Sequence, residues 1–528
     1  MTIRRAITLA LLLPSLLRAH AQTPQTAPPV PTFRSTSTLV FLDVTVLDKK
    51  GNPVVSGLTQ DDFSITEDKK PQRIFSFEPP QAHVLDKKSV NDNPDGRAPV
   101  TIFVLDLLNS KFEDSAYLRY EAGLYLLSQP RQLAAPAELM VVGNDSMQLI
   151  QGFTRRRDDL LFALRHIPAA LPYKQMNGSF YSERFAQSIQ DLQQIAIQNR
   201  AQSGRKNIVW LGHGGPAINT NALDPVTVDR LHQFIHQTAN LLVDSRISLF
   251  VIYPGLPVTA SPMNISALSA EVNIGDNDPF AGDINFGLLV DETGGKLFFN
   301  RNDLNVCMAR SQQLGSQYYT LTYQPPDGPD NGKFRRIRIA LRNPALHVLT
   351  KAGYFAQDSK PYTDPAQAPI ANLAVASTAT IPFHGLPFTV DTLTRHPDSR
   401  SAQLTAHIPG GELHWEPTDD GRFKTTLLFA LVSLTETRDL LASRLERGTF
   451  TAVTGDPVRW ANRTIPISVT VPTPRRTKTL RLLVETDPDQ RLGSFDIGRK
   501  LLDAAPATPT PQPHVTSRTP VQAPNPPA

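Results

Sequence analysis

Cysteine is almost absent: Cys307 stands alone in 528 residues, so no disulfide can close within the chain. Stability must come from packing, and Cys307, between Val306 and Met308, reads as a core residue. Long apolar runs are also missing. The run at the N-terminus, Ile7 to Leu17, is interrupted by Pro14 and Ser15. It falls short of the roughly 20 residues that a spanning helix needs, and no later segment is longer and equally apolar. Arg4 and Arg5 before the run and Ala19-His20-Ala21 after it complete the pattern of a secretory leader. Residues 1–21 therefore read as a signal peptide cleaved near Ala21, and the mature chain as periplasmic or extracellular, without a transmembrane segment.

A strong charge of one sign is the third absence. The formal charge is +4, and it falls to +1 when Arg4, Arg5 and Arg18 leave with a leader that holds no acid. A nearly neutral chain offers no electrostatic case for nucleic acid or for an anionic membrane as a partner. The basic run Arg155-Arg156-Arg157 reads as a solvated helix start. Proline, by contrast, is plentiful at 46 residues, much of it near the two ends. Residues 22–35 read as a disordered linker, and residues 505–528, rich in Pro, Thr and Ala, as a disordered tail.

Between these ends the hydrophobic period changes three times. Val40, Leu42, Val44 and Val46 alternate with outward residues, as a half-buried strand does. Shorter alternations follow to Phe77, so residues 36–80 form a β segment, with a polar linker over 81–97. From 98 to 316 continuous apolar runs alternate with helical patterns. The runs are 100–105, 138–142, 147–150, 207–211, 247–253 and 296–299. Runs that are mostly apolar, without strict alternation, fit strands buried on both faces of a parallel sheet. The intervening helices (114–129, 158–167, 181–201, 224–244 and 302–314) make it doubly wound, like a Rossmann sheet. Residues 256–290 carry little pattern and read as a loop.

Alternation returns at 317–356, and this segment is expected to pair with 36–80 to complete a β-sandwich into which the α/β unit is inserted. Residues 362–375 read as a linker and 376–500 as a second, C-terminal β-rich domain of sandwich type. Within it, residues 434–448 read as a helix. The fold class is thus α/β plus all-β.

Six segments together carry a family resemblance: GLTQDDFSITEDKKPQRI (57–74), VTIFVLDLLNS (100–110), GRKNIVWLGHGGP (204–216), TGGKLFFNRNDL (293–304), YYTLTYQP (318–325) and FRRIRIAL (334–341). Their order and spacing resemble the exported proteins of acidobacteria that are related to the von Willebrand factor A (VWA) domain. The likeness covers about 60% of the chain, residues 36–356, and does not reach the C-terminal region. It implies a divalent cation at the carboxyl end of the sheet, held by an Asp-x-Ser-x-Ser motif, a Thr from a second loop and an Asp from a third. Mg²⁺ would suit such hard oxygen ligands. Here Asp106 and Ser110 match the motif, with Asn109 beside them, but Leu108 stands where a Ser belongs. Ser179 is the best candidate for the second loop, and His213 lies near the place of the missing Asp. The resemblance therefore implies a degraded metal site on Asp106 and Ser110, and weak Mg²⁺ binding at most.

Catalytic motifs are incomplete. His232 and His236 have the spacing of a zinc-peptidase helix, but Gln233 replaces the general base, so both read as surface histidines. His213-Gly214-Gly215 has the look of a lipase oxyanion loop without a G-x-S-x-G nucleophile elbow anywhere in the chain. The expectation is a non-enzymatic protein that meets a protein, envelope or matrix partner through Asp106, Asn109, Ser110, Ser179 and His213. The alternatives are an envelope spacer without a dedicated ligand and an exported hydrolase with its site in the C-terminal region.

Overall fold

The computed structural model describes residues 39–85, 98–144, 147–167, 178–200, 202, 204–255, 278–280, 284–325, 332–356, 368–418, 420–452, 463–487 and 489–508. Residues 1–21, read as a leader, residues 22–35, read as a linker, and the part of the expected tail beyond 508 lie outside them.

The N-terminal segment forms β1 (Val40–Leu47), β2 (Phe63–Glu67), β3 (Lys70–Gln72) and β4 (Ile74–Glu78). The α/β unit follows as β5 (Val100–Asp106), α1 (Phe112–Ser128), β6 (Gln132–Val142), β7 (Met147–Arg156), α2 (Arg157–Arg165) and α3 (Gly178–Gln198). It continues through β8 (Lys206–Leu211), α4 (Pro225–Asp244), β9 (Ile247–Ile252), α5 (Phe286–Glu292), β10 (Lys296–Phe298) and α6 (Leu304–Ser316). The sheet runs β10-β9-β8-β5-β6-β7, parallel except for the antiparallel edge strand β7. Counted from β5 this is the order 3-2-1-4-5-6.

The continuous apolar runs explain the two-sided burial. Ile102, Val104, Ile208, Trp210, Leu249 and Val251 face a core shared with α3, α4 and α5. Their neighbours Phe103, Leu105, Val209, Leu211, Phe250 and Ile252 face α1, α2 and α6, where Cys307 is buried. Arg155, within the basic run, is buried at the end of β7 and donates to the Leu133 carbonyl at 3.0 Å, so that run is only partly solvated.

After α6 come β11 (Tyr319–Tyr323), β12 (Phe334–Leu341), β13 (His347–Leu349) and β14 (Gly353–Phe355). They join the N-terminal strands in two four-stranded sheets, β13-β1-β11-β4 and β14-β12-β2-β3. Leu42, Val44, Phe63, Ile65, Tyr319, Leu321 and Ile337 fill the space between them. Residues 80–83 extend this packing: His83 is buried and stacks on Tyr318 at 4.3 Å.

The sandwich meets the sheet through a buried ionic anchor. Arg246, in the left-handed region at φ 54°, donates to both oxygens of Asp43 at 3.1 and 2.5 Å. Burial works to raise the Asp43 carboxyl, but Arg246, with help from Arg205 and the Thr320 hydroxyl, outweighs it and holds the group below its ordinary value.

The segment 362–375 is not simply a linker. It runs into α7 (Ala368–Thr378), because its alanines favour helix and its Leu373 and Ala376 are buried. The C-terminal region then holds β15 (Thr389–His396), β16 (Ser401–Pro409), β17 (Glu416–Pro417), β18 (Phe423–Leu434), β19 (Leu440–Ala452), β20 (Thr464–Pro472), β21 (Thr479–Asp487), β22 (Leu492–Gly498) and the short α8 (Arg499–Ala504).

The helix expected over 434–448 is instead a turn and β19. Arg438 at φ 65° makes the turn. Pairing with β18 from Leu434↔Leu440 to Phe423↔Ala452 then overrides the local helical propensity. Residues 505–508, expected to be disordered, run beside β15, with the Thr508 amide donating to the Arg395 carbonyl. Arg481, buried, donates to the carbonyls of Ala376 and Ile381 and to both oxygens of Asp496, pinning the end of α7 to the C-terminal sheet. Among the described residues no helix is long and apolar enough to cross a membrane.

Candidate functional site

β5 has β8 on one side and β6 on the other, so the chain turns away in opposite directions at its carboxyl end. A crevice opens at such a switch point. The loops that form it are 107–111 after β5 and 212–216 after β8.

Asp106 ends β5 fully buried, and its carboxylate organises both loops. Oδ2 accepts from the Trp210 indole Nε1 and from the Gly214 amide, each at 3.0 Å. Oδ1 accepts from the Asn109 amide at 2.8 Å, and the Asn109 side-chain amide reaches both oxygens at 3.3 Å. Burial raises this carboxyl above its ordinary value against the pull of those donors.

The loop after β8 passes close enough that only glycine fits. Gly212 has φ 149°, and a Cβ there would lie 2.4 Å from Asp106 Cβ and 2.7 Å from Ser110 Oγ. Gly214 has φ 72°, and a Cβ would fall 2.2 Å from the Phe286 ring.

A face of α3 completes the site. Arg184 Nε donates to Asn109 Oδ1 at 3.1 Å, and Asn109 Nδ2 donates to Ser188 Oγ at 2.9 Å. Asp191, one turn further on, is buried with Oδ2 unpartnered, and burial together with the charge of Asp106 pushes its carboxyl well above the ordinary range. Sequence reasoning missed Arg184, Ser188, Asp191 and Trp210. The spacing of the three α3 residues at i, i+4 and i+7 was visible, but it marks one helix face without saying what that face meets.

The residues singled out from sequence are partly brought together. Asp106, Asn109 and Ser110 share the loop, and Ser110 Oγ is buried without a partner. His213 lies beside them, its ring 4.3 Å from that of Tyr253 and its Nε2 3.6 Å from Asp114 Oδ2. Burial lowers its pKa, against the charges of Asp106 and Asp114. Ser179, expected on a loop, is in the first turn of α3, and its side chain lies outside the described residues. The histidines read as surface residues are half-buried. His236 stacks on Phe355 at 3.8 Å and meets Asp278 Oδ2 at 2.9 Å, which makes it a packing residue between α4 and the sandwich.

The Asp106 carboxylate is not free to hold Mg²⁺. The cation needs oxygen ligands with free lone pairs, and the groups converging on Asp106 are an indole and amide N–H groups that already take up its lone pairs. Leu108 is buried in the core and supplies no oxygen. Among the described residues no cluster of three or more His, Cys, Asp or Glu side chains could hold a metal.

The sequence matches no family model and none of the curated proteins. Solved structures resemble it distantly. The PilB minor pilin from Streptococcus sanguinis is 11% identical over 43% of this chain and 63% of its own, with a TM-score of 0.26. The chain thus spans less than two thirds of that pilin. Proximal thread matrix protein 1 from the mussel byssus is 10% identical over 47% of this chain and 48% of its own, with a TM-score of 0.23. The SpRpn10 VWA domain is 12% identical over 33% of this chain and 95% of its own, with a TM-score of 0.17. Scores this low establish no shared fold.

Proposed function

We propose that this chain is an exported, VWA-like, non-enzymatic binding protein whose partner surface is the loop edge formed by residues 107–111 and 212–216. The observation that carries the reading is the Asp106 network. A fully buried carboxylate spends its hydrogen bonds on fixing two loops at the switch point of the sheet. Rigid loops of this kind lower the entropy lost on binding. Lys111 is exposed beside Asn109 and Ser110, so the same segment offers a basic contact at its rim.

The VWA assignment is supported by the strand order and by the sequence segments from 57 to 341. Mg²⁺ has no part in this reading, because Asp106 serves the loops. No catalysis is assigned, since His213 faces Asp114 and Tyr253 and, among the described residues, no activated nucleophile is placed beside it. The test is capture of partners from the native envelope by the full chain and by Lys111→Glu, at an exposed side chain of the loop, each repeated in chelator. The reading predicts that a specific partner is retained in chelator and lost in Lys111→Glu, at unchanged melting temperature. Equal capture by the two proteins, or loss in chelator alone, would contradict it.

A further inference from the structure

We propose that the chain forms a two-fold dimer through the outer face of α1, with a second copy of itself as the occupant. The inward face of this helix, with Leu118, Ala122, Tyr125 and Leu126, is buried in the core. The outward face carries Phe112, Tyr120 and Leu127, which are 52%, 62% and 51% exposed. Ala116, also exposed, and Gly123, half-buried, lie between them. At 100° per residue the five positions fall within an arc of about 80° and span about 22 Å of helix. The helices on the other side of the sheet are covered differently: α3 packs against α7, and α4 against β14. Among the described residues α1 has neighbours only at its flanks and beneath it, chiefly α2, α6 and β5.

The pattern on this stripe is self-complementary. Phe112 and Leu127 are equidistant from the midpoint between Arg119 and Tyr120, and so are Ala116 and Gly123. A two-fold axis through that midpoint, with the helices antiparallel, sets Phe112 on Leu127 of the second copy and Ala116 on Gly123 of the second copy. Tyr120 meets its own counterpart. Large side chains thus alternate with small ones along the seam, as ridges do with grooves. Such self-matching is the requirement of an isologous interface.

Charge agrees with this occupant. The antiparallel pair opposes the two helix dipoles and brings Glu113 of one copy and Arg131 of the other, both exposed, to the same end of the seam. Arg119, which would place like charges at the axis, is drawn aside: its guanidinium donates to the carbonyls of Ile167 at 3.0 Å and Arg165 at 2.6 Å.

The experiment is sedimentation equilibrium of the full chain over a wide concentration range. A monomer–dimer equilibrium is expected. Tyr120→Glu puts two acids at the axis and should weaken it by roughly thirtyfold or more, the effect of losing a central anchor. Its circular dichroism and melting should stay unchanged. Phe162→Glu, at a side chain 66% exposed on the neighbouring α2, should leave the equilibrium unaltered. Tyr120→Cys should oxidise to a covalent dimer, since the native Cys307 is buried. A chain that remains monomeric, or a Tyr120→Glu variant that dimerises as tightly as the parent, would overturn the proposal.

Discussion

If Asp106 is a keystone for two loops, replacing it with Asn should destabilise the metal-free protein. The amide must turn its NH₂ towards one set of donors. The cheaper orientation faces Oδ1, where it opposes the Asn109 amide that now donates at 2.8 Å. Leaving one buried N–H unpaired costs about 1–3 kcal/mol, and turning the Trp210 and Gly214 bonds from charge-assisted to neutral costs about 1 kcal/mol each. Removing a charge whose burial already raises its pKa offsets part of this. A net loss of about 2 kcal/mol follows, measured by urea unfolding in EDTA. Hydrogen exchange should quicken in 107–111 and 212–216. Trp210→Phe removes one donor, and a double-mutant cycle with Asp106→Asn should show coupling of about 1 kcal/mol. A metal-ligand role makes the opposite forecast: Asp106→Asn would be neutral or stabilising without metal, and Mg²⁺ would stabilise the parent alone. That result would refute the keystone reasoning.

Three further outcomes are expected. Arg481→Lys keeps the charge but loses the planar fork that binds Asp496 and the Ala376 and Ile381 carbonyls. It should cost about 3 kcal/mol and lower the melting temperature of the C-terminal region. Arg246→Gly relieves a left-handed backbone worth about 1 kcal/mol but strands Asp43, so urea stability should fall, and adding Asp43→Asn should recover part of the loss. Burial pushes Glu138 and Glu485 from 4.5 up to about 8. The folded chain then holds protons that the unfolded chain has lost, so this contribution is full below about pH 4.5 and is lost as pH rises towards about 8. Unfolding midpoints should fall between pH 6 and 8, and Glu485→Gln should flatten the slope.

The α/β unit was legible because its strands are buried on both faces. Residues 102–105 and 208–211 are apolar at every position, and helix periods separate the runs. The C-terminal half was harder. Residues 440–452 have good local helix formers in Leu, Ala, Arg and Glu, and only pairing with β18 makes them a strand. Arg481 gives no local sign of its role, because the carbonyls it holds lie about 100 residues away on α7 and the segment after it. At the site, Asp106, Asn109 and Ser110 were readable from one short motif. The α3 contributors were not, since Arg184, Ser188 and Asp191 look like the polar side of any amphipathic helix. His232 and His236 misled because their spacing describes a helix face and not its exposure. Gly212 and Gly214 were recognisable as a sharp turn, but the reason for it, the close approach of Asp106 and Phe286, is tertiary.

The binding edge itself is tested most directly by photocrosslinking in native envelope. A photoreactive side chain replaces Lys111, exposed beside Asn109 and Ser110, and in a second protein replaces Ser443, exposed on β19 of the C-terminal region. A discrete adduct at position 111, absent at 443 and undiminished by chelator, is the predicted result. Adducts at 443 alone, or none at 111 while the chain is bound, would show that partners are met elsewhere.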